Sequence, residues 1–187
     1  MAAVLSVFSA FGLSSAAGLN AYLPLLMVAL LARFTDLVKL SSPWDVLTSW
    51  WVIGVLAVLL FIEMLVDKVP AADTVNDVVN TAIRPAAGAV LFAANSGSLG
   101  EVHPVLALVC GLLIAGGIHA AKATARPVVT ATTGGTGNWL VSTIEDIVSL
   151  VTSLLSILMP IAIAAIGVGI VVWVGWRLSR RRRPRTA

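Results

Sequence analysis

The chain has 187 residues, 59% of them apolar and only 11% charged, with a mean hydropathy of +1.00. Soluble domains carry roughly 25% charged residues, so too few polar side chains are present to cover a soluble enzyme, and a single cysteine excludes a disulfide scaffold. The net charge of +3 is concentrated at one end, in Arg177, Arg180, Arg181, Arg182, Arg183 and Arg185; beside an apolar run, that cluster reads as a cytoplasmic anchor and not as a nucleic-acid patch.

What remains is an all-α integral membrane protein, because a helix satisfies its own backbone in lipid. A helix rises about 1.5 Å per residue against a hydrocarbon core of roughly 30 Å, so about 20 residues span. The first apolar run, 3–32, is longer than that, holds no basic residue and far exceeds a signal-peptide core, so no cleavable signal is expected. It contains Gly18, Asn20 and Pro24. These predict either a kinked or interrupted helix with Asn20 facing protein, or a tilted helix in which Asn20 satisfies the local backbone.

Runs 49–66 and 104–121 each fit one helix. Run 86–94 is too short to cross and must be joined by 73–85, with Asp73, Asp77 and Arg84, as a half-polar span or a re-entrant element. Run 140–176 is too long for one span, and Pro160 divides it into 140–158 and 161–177 with a very tight connection. The expected fold is a compact bundle of about six membrane-embedded helical segments, with 73–94 and 140–158 among those interrupted or re-entrant. Residues 1–178 form a single polytopic membrane domain and 179–187 a basic cytoplasmic tail. Placing both termini in the cytoplasm puts Lys68, Lys122, Arg126 and the terminal arginines inside and leaves Arg33 and Lys39 outside, as expected for a multi-pass protein of the cell (inner) membrane.

At helical spacing the polar residues fall into stripes. Ser142, Glu145, Asp146, Ser149, Thr152, Ser153 and Ser156 share one face of 140–158, with Thr143 outside it. Asp73, Asn76, Asp77, Asn80 and Arg84 share another face, as do His119, Lys122 and Arg126, and Glu63 with Asp67. Exposing carboxylates to hydrocarbon costs several kcal/mol, so the stripes are expected to converge on a common interior. The candidate substrate- or ion-binding residues are therefore Glu63, Asp67, Asp77, Arg84, His119, Lys122, Glu145, Asp146 and Asn20. Some of these charges could instead terminate helices at the cytoplasmic interface, Lys68, Asp73, Lys122 and Arg126 most readily.

Two weaker signals accompany the stripes. Asp77, Asn80, Arg84-Pro85 and His119, Lys122, Arg126-Pro127 share one polar spacing, a faint internal echo of the kind duplicated transporter halves carry. The loop Thr133-Gly-Gly-Thr-Gly-Asn138 reads as a connector capped by Asn138 ahead of a phosphate site, since no nucleotide-loop pattern is present. No Gly-x-Ser-x-Gly, His-Glu-x-x-His or Cys-x-x-Cys pattern occurs either, so no catalytic residue and no cofactor is assigned, and the metal question stays open.

Together, Gly18-Leu-Asn-Ala-Tyr-Leu-Pro24, Glu63-x3-Asp67-Lys68-x-Pro70 with Asp77, Arg84-Pro85-x2-Gly88, His119-x2-Lys122-x3-Arg126, the Gly-Gly-x-Gly-Asn loop and Glu145-Asp146 carry a resemblance. Over roughly residues 10–178 the chain resembles a bacterial integral-membrane family, domain of unknown function 4126. The resemblance implies the membrane architecture and brings no activity with it.

The residues themselves point to a transporter or channel-like protein that handles a cation or small charged solute with interior carboxylates. The alternatives are a structural or assembly subunit whose buried ion pairs fix helix register and, less favoured, a membrane enzyme acting on lipid head groups. The expected partners are the lipid bilayer and the charged solute, not nucleic acid, and homo-oligomerisation is left open.

Overall fold

A computed structural model describes residues 2–66, 70–96 and 102–181, without the side chains of 2–3, 70–75, 77, 163–164, 175 and 178–181. Among the described residues there are seven α-helices, one 3₁₀ turn and no strand. The helices are α1 (Ala2–Leu19), α2 (Tyr22–Phe34), α3 (Trp50–Val66), α4 (Pro70–Ser96), α5 (Pro104–Thr133), α6 (Thr136–Leu158) and α7 (Pro160–Arg181), with the 3₁₀ turn at Trp44–Thr48 before α3. Three of them open on proline, whose missing N–H costs nothing in a first turn. Gly134 and Gly135 make the α5–α6 turn at φ 61° and 86°, a left-handed conformation that glycine adopts without a Cβ clash.

Helix α1 lies at the centre, packed on α2, α4, α5, α6 and α7. Its contact faces carry small residues, and Ala10, Ser14, Ala16 and Ala17 are fully buried. Against α4 the Ser14 hydroxyl donates to Gly88 O at 2.9 Å, and Phe11 meets Phe92 edge-on with centroids 5.1 Å apart. Gly88 and Gly111 bring α4 and α5 so close that a Cβ on Gly88 would sit 2.7 Å from Gly111 O. Outward faces are apolar: Phe61, Leu113, Val151 and Val171 are all exposed. Two helices, Pro104–Thr133 and Thr136–Leu158, are long and apolar enough to cross a membrane.

Three expectations change. Run 3–32 is not one crossing. Pro24 has no N–H for the carbonyl of Asn20, and the helix stops there. Leu19 and Asn20 then sit against α5 and α6, while Leu5, Ser6 and Ser9 share a cleft with Asp36–Lys39 and the Leu158–Pro160 turn. Helix α2 therefore doubles back, so the start of α1 and the end of α2 lie at the same end of the bundle. Of the two readings of 73–94 the half-polar helix fits and the interrupted element does not: the segment lies within α4, which continues through Pro85, and 140–158 lies within an unbroken α6. Asn138 does not cap α6, which begins two residues earlier; its side chain is buried and its Oδ1 accepts from the Thr130 hydroxyl of α5 at 3.0 Å.

The serine stripe on α6 does face protein: Ser142, Ser149, Ser153 and Ser156 are buried, while Ile144, Ile147, Val148 and Val151 are exposed. Ser149 Oγ donates to Ala16 O at 3.1 Å, with no room for a longer side chain. Ser149→Leu is expected to cost about 1–3 kcal/mol by overpacking, and Val151→Leu on the opposite, exposed face less than about 0.5 kcal/mol. Thermal unfolding of the two purified variants checks the asymmetry, and equal tolerance would remove it.

Candidate functional site

The helix break at Asn20 creates the first part of the site. Where α1 ends, its last carbonyls lose their partners, and where α2 begins, its first N–H groups have none. Asn20, 1% exposed, supplies one half of the repair: its Oδ1 accepts from the backbone N–H of Tyr22 at 3.1 Å and of Leu23 at 3.0 Å. Lys122 of α5 supplies the other, donating from Nζ to Leu19 O at 3.2 Å, so a cation meets the negative end of the α1 dipole. Asn20 Nδ2 then donates to Asp146 Oδ1 of α6 at 2.9 Å. The interrupted-helix reading of Asn20 thus holds and the tilted, continuous helix does not, although Asn20 also satisfies the local backbone at the break.

Around the break stand two cations and two carboxylates. Glu145 Oε2 lies 2.8 Å from Lys122 Nζ and 3.1 Å from Arg126 Nη2, bridging both cations of α5 from α6. Lys122 and Arg126 are each 6% exposed, whereas Glu145 and Asp146 are half-buried. The hairpin of α5 and α6 makes this possible because i, i+4 cations on one helix face a single acid on its antiparallel neighbour.

A second cluster lies deeper, where α3, α4 and α5 meet. Arg84 is fully buried and donates from Nη2 to Glu63 Oε1 at 2.9 Å, the carboxylate being itself 2% exposed. Asn80 Nδ2 donates to the same oxygen at 3.2 Å. Arg84 Nη1 lies 3.2 Å from His119 Nδ1, and because guanidinium can only donate, Nδ1 must be the acceptor. The neutral ring then carries its proton on Nε2, which is 3.2 Å from the Thr81 hydroxyl. His119 and Lys122 sit one turn apart on α5, so the two clusters adjoin.

Of the residues singled out in the sequence, Glu63, Arg84 and His119 come together in the deep cluster, and Asn20, Lys122, Glu145 and Asp146 at the break, joined there by Arg126. Asp67 and Lys68 lie outside the described residues, as do the side chains of Asp73 and Asp77. The carboxylates do not converge on one point: each described acid of the interior already faces a protein donor. No group of three His, Cys, Asp or Glu side chains able to hold a metal ion occurs among the described residues. Sequence reasoning missed Thr81 and the Leu19 carbonyl; Thr81 lies beside the α4 stripe, and a backbone acceptor leaves no mark in composition.

No curated protein and no solved structure matches the chain. The family model described as Domain of unknown function (DUF4126) matches residues 7–181, which takes in α2 to α7 and most of α1. With the helix break, both ion-pair clusters and the glycine turn all inside that match, the chain belongs to the DUF4126 family.

Proposed function

We propose that the chain is a polytopic membrane protein that moves a small charged solute past the helix break at Asn20. The apolar outward faces and two span-length helices support the membrane setting. In that setting the seven helices cross in alternation. The α5–α6 turn and the arginine-rich end of α7 lie on the cytoplasmic side, and the start of α1 lies on the other side with Arg33 and Lys39; the reversal at Asn20 makes seven segments of the expected six, so this reading departs from the expectation that both termini are cytoplasmic.

The observation that carries the transport reading is the break itself. Discontinuous helices whose ends are met by ionisable side chains from neighbouring helices mark solute sites in transporters, and here Lys122 meets the last carbonyl of α1, Asp146 holds the Asn20 amide that caps α2, and Glu145 pairs with Lys122. Because Glu145 is already paired with both Lys122 and Arg126, the site favours a solute that exchanges with existing pairs over a bare cation held by free acids. One observation favours the structural reading as second: Arg84 and Glu63 are so completely buried that their pair fixes the register of α3 on α4 whatever the protein carries.

The test uses Asp146→Asn, which keeps an oxygen to accept from Asn20 Nδ2 and removes the charge. In proteoliposomes, uptake of radiolabelled amino acids, amines and organic acids is measured, a readout that registers solutes of any net charge. The wild type is expected to take up at least one class, and Asp146→Asn to lose that uptake while unfolding within about 1 kcal/mol of wild type. Uptake equal to that of protein-free vesicles for every class would defeat the transport reading. Cysteines placed at Leu37 and Thr132 in a Cys110→Ser background are expected to label from opposite sides of the membrane.

A further inference from the structure

The cleft of about 460 Å³ at the far end of the bundle, shared by α1, the segment after α2 and the α6–α7 turn, differs from the interior in one respect. Elsewhere the serines of the helices are bonded: Ser14, Ser15, Ser149, Ser153 and Ser156 all donate to carbonyls. Ser6 and Ser9, one turn apart on α1, line the cleft and make no hydrogen bond among the described residues, although Ser9 is only 9% exposed. Asp36 and Lys39 line it too, and neither is ion-paired among the described residues. Where the interior matches every described charge, this cleft holds one acid, one base and two hydroxyls with nothing between them.

We propose that the cleft binds a small zwitterion bearing an ammonium group and an anionic group. Asp36 receives the ammonium. Lys39 receives the anionic group, and the Ser6 and Ser9 hydroxyls donate to its remaining oxygens. Free amino acids carry this chemistry, and so does the phosphoethanolamine head group of a lipid. The proposal deepens the transport reading by giving the class of its solute, but binding is read without transport.

The full chain, purified in detergent, is titrated with alanine and with phosphoethanolamine, using methylammonium chloride and sodium acetate as single-charge controls at equal ionic strength. Both zwitterions are expected to raise Tm by about 3–6 °C near saturation, and the controls are not. Asp36→Asn and Lys39→Gln, both at exposed positions that leave the core intact, are each expected to shift the midpoint at least about tenfold, and Ser9→Val by a few-fold. In phosphatidylethanolamine nanodiscs, loss of the alanine response that persists in phosphatidylglycerol identifies the head group as occupant; an equal response in both identifies the free solute. No response to either zwitterion, an equal response to the controls, or unchanged midpoints in both charge variants overturns the proposal. Solute uptake without zwitterion binding would sink this cleft and leave transport standing, whereas binding without uptake of any solute would do the reverse.

Discussion

Glu63→Gln is expected to cost about 3–5 kcal/mol of stability, the range seen when one partner of a buried ion pair is removed and the other charge stays. Arg84 is fully buried and loses its only described carboxylate, and a glutamine oxygen cannot neutralise a guanidinium. Asn80 loses a charged acceptor at the same time. With typical domains stable by only about 5–15 kcal/mol, the variant should fall in abundance and unfold well below the wild type. The double variant Glu63→Leu with Arg84→Met removes both charges and should recover much of the loss, because the penalty lies in the uncompensated cation and not in the missing contact. Thermal melts of the four corners of this cycle measure the coupling. A double variant as unstable as the sum of the singles would show that the two residues act separately.

The second large effect is expected where α4 and α5 touch. A Cβ on Gly111 would press on Gly88 O and come within 2.7 Å of Phe92 Cβ, and one on Gly88 would collide with the Ala115 side chain. The obstacles include backbone, which cannot rotate away, so the helices must separate. Gly88→Ala and Gly111→Ala are each expected to cost about 1–3 kcal/mol. Their effects should not add, because one separation of the helices relieves both clashes. Gly117→Ala provides the control: a Cβ there meets nothing within 4 Å, and alanine should if anything firm the helix by roughly 1 kcal/mol. Loss of stability in Gly117→Ala equal to that in Gly111→Ala would mean that the close approach of α4 and α5 does not set the cost at these positions.

Much of the helical plan was legible because periodicity reports a face. The α6 serines, the α5 cations and Arg84 of α4 all point inward, as their spacing required, and a polar stripe on an otherwise apolar helix has few other places to go. Arg84 meets Glu63, another of the stripe residues expected to face the interior. The return of α2 was not legible. Gly18, Asn20 and Pro24 signal a break, but whether the chain bends or reverses depends on what waits at the other side, here Lys122 and Asp146. The unbroken course of α4 was hidden for a related reason. Pro85 and a polar first half suggest interruption locally, whereas packing against α1 and α5 holds the helix together. The cleft residues escaped notice because Asp36 and Lys39 read as ordinary loop charges. Only their lack of partners beside Ser6 and Ser9 distinguishes them, and that is a property of the fold.

The repair of the helix break also sets a timetable. Asn20 waits for a partner 126 residues downstream, Leu19 O for one 103 residues downstream, and Ala16 O for the Ser149 hydroxyl 133 residues on. At a synthesis rate of about 5–20 residues per second, roughly 5–25 s separate the first hairpin from the helices that complete it. During that interval the α1–α2 turn has its own Asn20 cap but not its lysine or its aspartate. The nascent first hairpin is therefore the stage at which a chaperone or an insertion factor has most to protect, and α6 is the helix whose arrival ends the need.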